Sequence, residues 1–304
     1  MADTVIEIEN LVKYYDGRCV LDRIDLKIPR GCIYGLLGRN GLGKTTLIRI
    51  LLGLEPPTRG RTSLLGQDSL HLSAQMRGRI GYVAEGHHLI QNYRVKRLID
   101  LCKGLSTHWN DRFFSSILET FRLPMDRKVK EMSAGMRAQL NLALAMAIEP
   151  ELLILDDPTL GLDTAARRQF LELAIELIQK EDRTILFSSH ILGDVERIAD
   201  RVGVLVGGRL VIDCALEELK SRIKKLQILF PQKAPDNLFI TEIVHQRVRD
   251  REIVLTVANW NDRKQAMLDT FGPQSCTELP MTLEDIFIEC TRSVAAPRMQ
   301  ESKV

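Results

Sequence analysis

The sequence predicts an α/β fold built on a mostly parallel core sheet, and three observations carry that expectation. Apolar strand-like runs alternate with helical ones: CIYGLLG (residues 32–38) precedes LIRILLGL (47–54), and ELLILDD (151–157) precedes a helical stretch near 165–179. A further apolar run, RTILFSS (183–189), continues the alternation, and strands joined through helices pair in parallel, with ligands at their carboxyl ends. Between the first strand and its helix stands GRNGLGKTT (38–46), the phosphate-loop pattern G-x-x-x-x-G-K-[ST] with one more threonine.

In chain order, the opening is β-rich: residues 4–11 and 21–28 alternate apolar and polar side chains around the turn-forming YYDGR (14–18), which describes an antiparallel ribbon. In the loop that follows, the glycines allow a tight turn. The amides of Gly38, Arg39, Asn40, Gly41, Leu42 and Gly43 can then surround phosphate oxygens at the positive end of the next helix. Lys44 is placed to reach the β- and γ-phosphates of a nucleoside triphosphate, Thr45 to offer a hydroxyl to Mg²⁺, and Thr46 to contact the α-phosphate region. Residues 95–146 have helical spacing, as in VKRLIDLCKGL and RFFSSILETF, and are broken at Pro124, which reads as a helical insertion. The strand LLILD then delivers Asp156, the expected metal-site carboxylate, beside the loop. From about residue 215 the pattern changes to a charged helix (ALEELKSRIKK), short strands near 226–230 and 252–257, a helix at 262–271 and a closing TLEDIFIEC. Those elements suggest a small α/β module, and the polar tail 293–304 is expected to be disordered.

Composition narrows the function classes. With 304 residues, 45% hydrophobic and 27% charged, the chain can bury the core of one large or two modest domains. A formal charge of +2 gives no basic excess for nucleic acid or an anionic membrane. No apolar stretch reaches the length of a membrane span, and the opening MADTVIEIEN has no basic leader region, so a cytoplasmic location is expected. Six scattered cysteines without a C-x-x-C pair fit reduced thiols. The pair His87 and His88 has no second ligand cluster at metal spacing and reads as surface.

Further motifs follow the phosphate loop in a fixed order. MSAGM (132–136) precedes the helix AQLNLALAMAIEP and the strand ending in Asp156 and Asp157; PTLGLD (158–163) follows; SSH places His190 after RTILFSS. Together they resemble the ATP-binding subunit of ATP-binding-cassette (ABC) transporters, over residues 4 to about 213. The resemblance implies a P-loop NTPase of ABC type with an antiparallel β subdomain, a mostly parallel core sheet, a helical insertion and a small C-terminal α/β module. The implied boundaries are 4–214 for the nucleotide-binding domain, with its helical subdomain at about 86–148, and 215–292 for the accessory module.

The resemblance also implies roles. MSAGM stands where the family carries LSGGQ, so Ser133 and Gly135 would contact the nucleotide bound by a second copy, with Asp163 crossing the same interface. Lys44, Asp157 and His190 would serve the chemistry, Asp157 standing where the family normally carries a glutamate general base. Glu85, in IGYVAEGHHL, replaces the usual glutamine and would meet Mg²⁺ together with Thr45 and Asp156. Tyr15, 23 residues before Gly38, matches the aromatic that stacks on adenine, with Tyr14 the weaker candidate. Residues 86–95 would face a separate membrane permease chain. TLEDIFIECT (282–291) is similar to the closing segment of bacterial exporter ATPase subunits with separate membrane chains. The expected function is thus an ATPase that binds ATP and Mg²⁺, dimerises with itself or a second ABC subunit, and energises a permease on the cytoplasmic face of the membrane. The alternative is a non-transport ABC regulator that uses ATP binding as a dimerisation switch. Asp157 keeps that alternative open, because one methylene fewer than glutamate withdraws the carboxylate by about 1.5 Å.

Overall fold

The computed structural model describes residues 3–180 and 183–295. Alternation of buried apolar and exposed polar side chains makes the first two segments a long antiparallel ribbon, β1 (Thr4–Tyr15) and β2 (Arg18–Pro29). Asp16 and Gly17 join them with φ of 47° and 79°, the positive values that a two-residue hairpin turn requires. Next come β3 (Ile33–Leu37), buried throughout, and α1 (Lys44–Leu51), followed by β4 (Arg59–Leu64) and the short β5 (Gln67–Asp68). The first sheet has the order β2-β1-β4-β5.

α2 (Ala74–Arg77) leads into β6 (Ile80–Val83), after which the chain turns helical: α3 (Val95–Leu105), α4 (Asp111–Phe121) and α5 (Ala134–Met146). Phe114, Ile117 and Phe121 form the buried stripe of α4, with the Trp109 ring 4.8 Å from that of Phe114. The alternation then resumes with β7 (Leu152–Asp156), α6 (Thr164–Lys180), β8 (Thr184–Ser189), α7 (Leu192–Ile198) and the hairpin β9 (Arg201–Val206) and β10 (Arg209–Ala215).

The central sheet has the order β10-β9-β3-β8-β7-β6, and β9, β3, β8, β7 and β6 run parallel. Its register decides where the loops emerge. Leu37 pairs with Ser189, Asp156 with Ser188 and Val83 with Leu155, so four strands end along one edge. Leu47, Ile48, Ile50 and Leu51 of α1 share one core with Ile6, Leu21 and Ile28 of the ribbon and Tyr34, Leu36 and Ile154 of the central sheet. That helix is thereby clamped between two sheets, and burial of each large aliphatic side chain contributes roughly 1.5–3 kcal/mol.

The described residues up to 213 and those from 214 onward separate into two compact units. The second contains α8 (Leu216–Arg222), β11 (Ile223–Leu229), β12 (Ile243–Arg249), β13 (Glu252–Ala258), α9 (Asp262–Asp269), β14 (Ser275–Leu279) and α10 (Leu283–Ala295). Its antiparallel sheet, β12-β13-β11-β14, buries Leu226, Ile228, Leu255 and Val257 against Leu268. The helix expected over ALEELKSRIKK stops at Arg222, because Ile223, Leu226 and Ile228 are drawn into pairing with β13. α10 begins with a reciprocal cap: the Thr282 amide donates to Asp285 Oδ2 at 3.0 Å and the Asp285 amide donates to Thr282 Oγ1 at 3.2 Å. That cap holds the Asp285 carboxyl below its usual range, and Leu283 and Ile286 are buried behind it. The disorder expected from residue 293 is corrected in part, since α10 continues to Ala295; residues 296–304 lie outside the described ones.

α7 crosses β3 at Gly35, where a Cβ would stand 2.3 Å from Val195 Cγ1 and 3.3 Å from Ala199 Cβ. Valine is stiff at χ1 and cannot swing aside cheaply. Gly35→Ala should therefore lower stability by about 1–3 kcal/mol, read as a reduced urea midpoint at unchanged slope.

Candidate functional site

The loop after β3 is shaped by two glycines in the left-handed region, Gly41 at φ 77° and Gly43 at φ 100°. Gly43 also caps α1 without any side-chain hydrogen bond, and a Cβ there would meet Leu21 Cδ2 at 2.8 Å and the Val20 carbonyl at 3.1 Å. Only glycine fits, and the first amides of α1 keep their free donors for an anion. Lys44 bends back beneath the loop, its Nζ donating to the Gly38 carbonyl at 2.8 Å and to the Arg39 carbonyl at 3.4 Å. Burial pushes the Lys44 ammonium's pKa down, while Asp157, Asp156 and Glu85 pull it up.

Asp156 ends β7 fully buried. Ser188 of β8 donates its hydroxyl to Asp156 Oδ1 at 2.8 Å, as the strand register dictates. Burial raises the Asp156 carboxyl's pKa, with the hydroxyls of Ser188 and Thr45 opposing. Its second oxygen, Oδ2, is buried without a hydrogen-bond partner among the described residues. The Thr45 hydroxyl in turn stands 3.4 Å from Glu85 Oε2. A buried orphan carboxylate oxygen, a nearby hydroxyl and an exposed carboxylate are hard oxygen donors that suit a small divalent cation completed by phosphate and water. Among the described residues no three His, Cys, Asp or Glu side chains cluster as a metal site, so the fit depends on those additional oxygens.

Asp157 is buried and adopts φ 43°, uncommon for a residue with a Cβ. Its amide donates to Ser188 Oγ at 2.9 Å, and Oδ2 lies 2.6 Å from His190 Nδ1. Oδ1 is buried without a partner among the described residues. Ser188 therefore holds both carboxylate residues at once, one through its side chain and the other through its backbone. Thr159 donates to Asp194 Oδ2 at 3.0 Å, fastening the segment after Asp157 to α7. Sequence reasoning passed over Ser188 and Asp194; the available signal for Ser188 was a polar side chain ending an otherwise apolar strand.

An open cleft of about 430 Å³ brings Tyr15, Lys44, Thr45, Glu85, Asp156 and Asp157 together, with Asn40, Gly41, Gly43, Thr46, Arg18 and Val20 also lining it. Tyr15 donates its hydroxyl to Glu55, and Lys13 Nζ stands 4.8 Å from its ring centroid. Tyr14 pairs with Cys19 across the ribbon and does not line the cleft. Ser133, Gly135 and Asp163 do not line it either. Ser133 caps α5 by accepting from the Met136 amide at 3.1 Å, and Asp163 accepts from the Ala166 amide at 2.8 Å at the start of α6. All three stay at or near the surface.

One expectation is overturned: His87 is not a surface residue. It is 5% exposed, with both ring nitrogens buried and without a hydrogen-bond partner among the described residues, whereas His88 is exposed. Burial, the main cause, and the charge of Arg137 lower its pKa. The reason is tertiary: the turn at Gly86 sends the two adjacent side chains to different environments, which the HH pair cannot reveal.

Among known proteins, the ABC transporter family model matches residues 21–160. The ABC transporter ATP-binding protein YtrB of Bacillus subtilis is 32% identical over 286 residues, covering 93% of this chain and 97% of YtrB. The bacitracin transport ATP-binding protein BcrA of Bacillus licheniformis is 35% identical over 225 residues, 73% of each chain. A solved dimeric ATP-binding cassette in a post-hydrolysis state, bound to ADP and Pi, superposes with a TM-score of 0.62 over 69% of this chain and 98% of its own; at 21% identity it shows the fold alone.

Removing the Ser188 hydroxyl leaves Asp156 without that buried donor. Ser188→Ala should destabilise the protein by about 1–3 kcal/mol and weaken nucleotide binding in the presence of a divalent cation. Thermal denaturation with and without nucleotide checks both outcomes.

Proposed function

This chain belongs to the ABC transporter family as an ATP-binding subunit, and from that premise we propose that it hydrolyses ATP to energise a membrane permease. The observation that carries the proposal is the Asp157 carboxylate, held 2.6 Å from His190 Nδ1 at the end of the strand that brings Asp156 to the nucleotide cleft. Lys44 and the amides from Gly38 to Gly43 would bind the β- and γ-phosphates, with Thr46 near the α-phosphate and Tyr15 against the adenine. Thr45, Glu85 and Asp156 would hold Mg²⁺, which when bound supplies positive charge against the phosphate oxygens.

In this reading Asp157 accepts a proton from the attacking water as its oxygen bonds to the γ-phosphorus. The bond to the leaving ADP oxygen breaks, and the proton is then released with phosphate. His190 fixes the orientation of the Asp157 carboxylate and stands ready to donate toward the γ-phosphate. The exposed helix start at Ser133 and Gly135 supports closure over the nucleotide of a second ABC subunit, identical or related, and Asp163 would cross that interface. ATP favours the closed pair and hydrolysis reopens it, and that difference in affinity is what drives a permease between two conformations.

The identity to a bacitracin transport ATP-binding protein supports a transport role, which we read as that of an exporter with separate membrane chains, and no described helix is long and apolar enough to cross a membrane itself. We place the subunit on the cytoplasmic face, bound to its permease through residues 86–95. The proposed organisation is a nucleotide-binding domain over 4–214 and an accessory module over 215–292. The shorter reach of Asp157 supports a second reading, an ABC protein that dimerises on ATP with little turnover.

Phosphate release from Mg-ATP, measured together with ATP binding and dimerisation, separates the two. Lys44→Ala should lose ATP binding and turnover. Asp157→Asn should still bind ATP and dimerise while releasing phosphate roughly 10²–10⁴-fold more slowly. Full activity in either variant would sink the corresponding assignment, and a wild type that dimerises without turnover, gaining it as Asp157→Glu, would establish the switch.

A further inference from the structure

Tyr15 is given to the base in the proposed function, and two charged side chains hold its ring. Its hydroxyl donates to Glu55, which stands just beyond α1, and the ammonium of Lys13 lies over the ring, 4.8 Å from its centroid. Lys13 and Tyr15 are two residues apart on β1, the spacing that puts side chains on one face of a strand. Lys13 is 9% exposed, and its Nζ also stands 3.8 Å from the Glu55 carboxylate and donates to the Pro56 carbonyl at 2.7 Å. Arg49, in the last turn of α1, donates to the other oxygen of Glu55 at 3.4 Å.

The backbone beneath this group is fixed as well. The Thr58 amide donates to the Val12 carbonyl at 2.8 Å and the Tyr14 amide donates to Thr58 Oγ1 at 3.0 Å, so the segment 55–58 is fastened to the end of β1. α1 carries the phosphate loop at its start and Glu55 shortly after its end, and its eight residues span about 12 Å. The helix that positions the phosphates therefore also positions the ring. Tyr15 is 40% exposed and lines the cleft, so water alone could satisfy its hydroxyl. The bond to Glu55 instead removes ring rotations, a loss of freedom that an arriving base would otherwise have to impose. Lys13 covers one face of the ring and leaves the other for stacking.

We propose that Glu55 and Lys13 are positioning residues that preset the Tyr15 ring as a stacking platform for the base of a nucleoside triphosphate. Glu55 anchors the hydroxyl end, and Lys13 backs the ring on the side away from the base. Because Glu55 is held from α1 and the segment after it, the platform keeps a fixed distance from the phosphate loop. The inference rests on the placement of Tyr15 against the adenine. It goes further in making affinity for the base depend on two charged residues that do not line the cleft, while the phosphates bind independently of them.

The test titrates the full chain with Mg-ATP and with Mg-tripolyphosphate, which has the phosphates and no base. Glu55→Leu, which removes the acceptor, should weaken ATP about three- to tenfold and leave tripolyphosphate within about twofold of wild type. Glu55→Gln still accepts from the Tyr15 hydroxyl and should recover most of the loss, and Lys13→Met should show the same selective weakening. In phosphate release the loss should fall on KM, with kcat within about twofold. Tyr15→Ala is the reference for a platform removed outright. If Tyr15→Ala weakens ATP and neither Glu55→Leu nor Lys13→Met does, the proposal fails while the stacking role of Tyr15 stands. Equal weakening of both ligands in Glu55→Leu and Lys13→Met would also overturn it, in favour of general support of α1. If Tyr15→Ala binds ATP as the wild type does, the placement of Tyr15 against the adenine falls, and the proposal with it.

Discussion

The parallel register of β8 between β3 and β7 is the constraint on which the site depends. Pairing Leu37 with Ser189 and Asp156 with Ser188 makes the phosphate loop, the carboxylate pair and His190 leave one edge of the sheet side by side. Neighbouring strands are about 4.8 Å apart, so β3 and β7 deliver their loops roughly 10 Å from each other. That spacing leaves room for a phosphate chain between Lys44 and the carboxylates. β6, paired on the far side of β7, adds Glu85 from the same edge. A one-residue slip would turn the Ser188 hydroxyl away from Asp156, since successive side chains on a strand face opposite ways.

The assembled site is electrostatically incomplete by itself. Glu85, Asp156 and Asp157 share the cleft with Lys44 and Arg18, and burial acts against both kinds of charge, raising the Asp156 carboxyl's pKa and lowering that of the Lys44 ammonium. Neither group has enough partners within the protein to offset its lost hydration. In the proposed function a phosphate chain would satisfy Lys44 and the first amides of α1, and a divalent cation would satisfy the orphan oxygen of Asp156. Either ligand alone would leave one half of the cleft uncompensated. The geometry therefore favours a metal-bound polyphosphate over a bare anion or a bare cation.

The parts of the fold written in continuous local pattern were legible in the sequence. β3, β7 and β8 are buried on both faces, and their uninterrupted apolar runs announced them; the phosphate loop announced itself through residue types that its backbone requires. Less could be read where a neighbour decides the outcome. β12 (IVHQRVR) and the five-residue β14 (SCTEL) exist because they pair with β13 and β11, and neither has a strong period of its own. Ile223 was read as helix because LKSRIKK favours one, and sheet pairing overrode that preference. At the site, residue types with a chemical purpose stood out, while the polar groups that support them did not. Ser188 looks like a strand end and His87 like a loop surface until the register and the burial are known.

Aspartate in place of glutamate at position 157 makes sense in the same terms. The residue sits at φ 43° and is followed by proline, whose ring restricts the backbone of the residue before it. Left-handed geometry is uncommon for side-chain-bearing residues but several-fold enriched in aspartate, so the shorter acid relieves part of the strain that glutamate would bear there. His190 reaches the carboxylate at 2.6 Å and Ser188 fixes the backbone beneath it, so the shorter acid is held in one position. Strain of this kind persists only where the surroundings over-determine it. Here two strands, one hydroxyl and one imidazole do so, and they converge on the carboxylate that, in the proposed reaction, would take the proton of the attacking water.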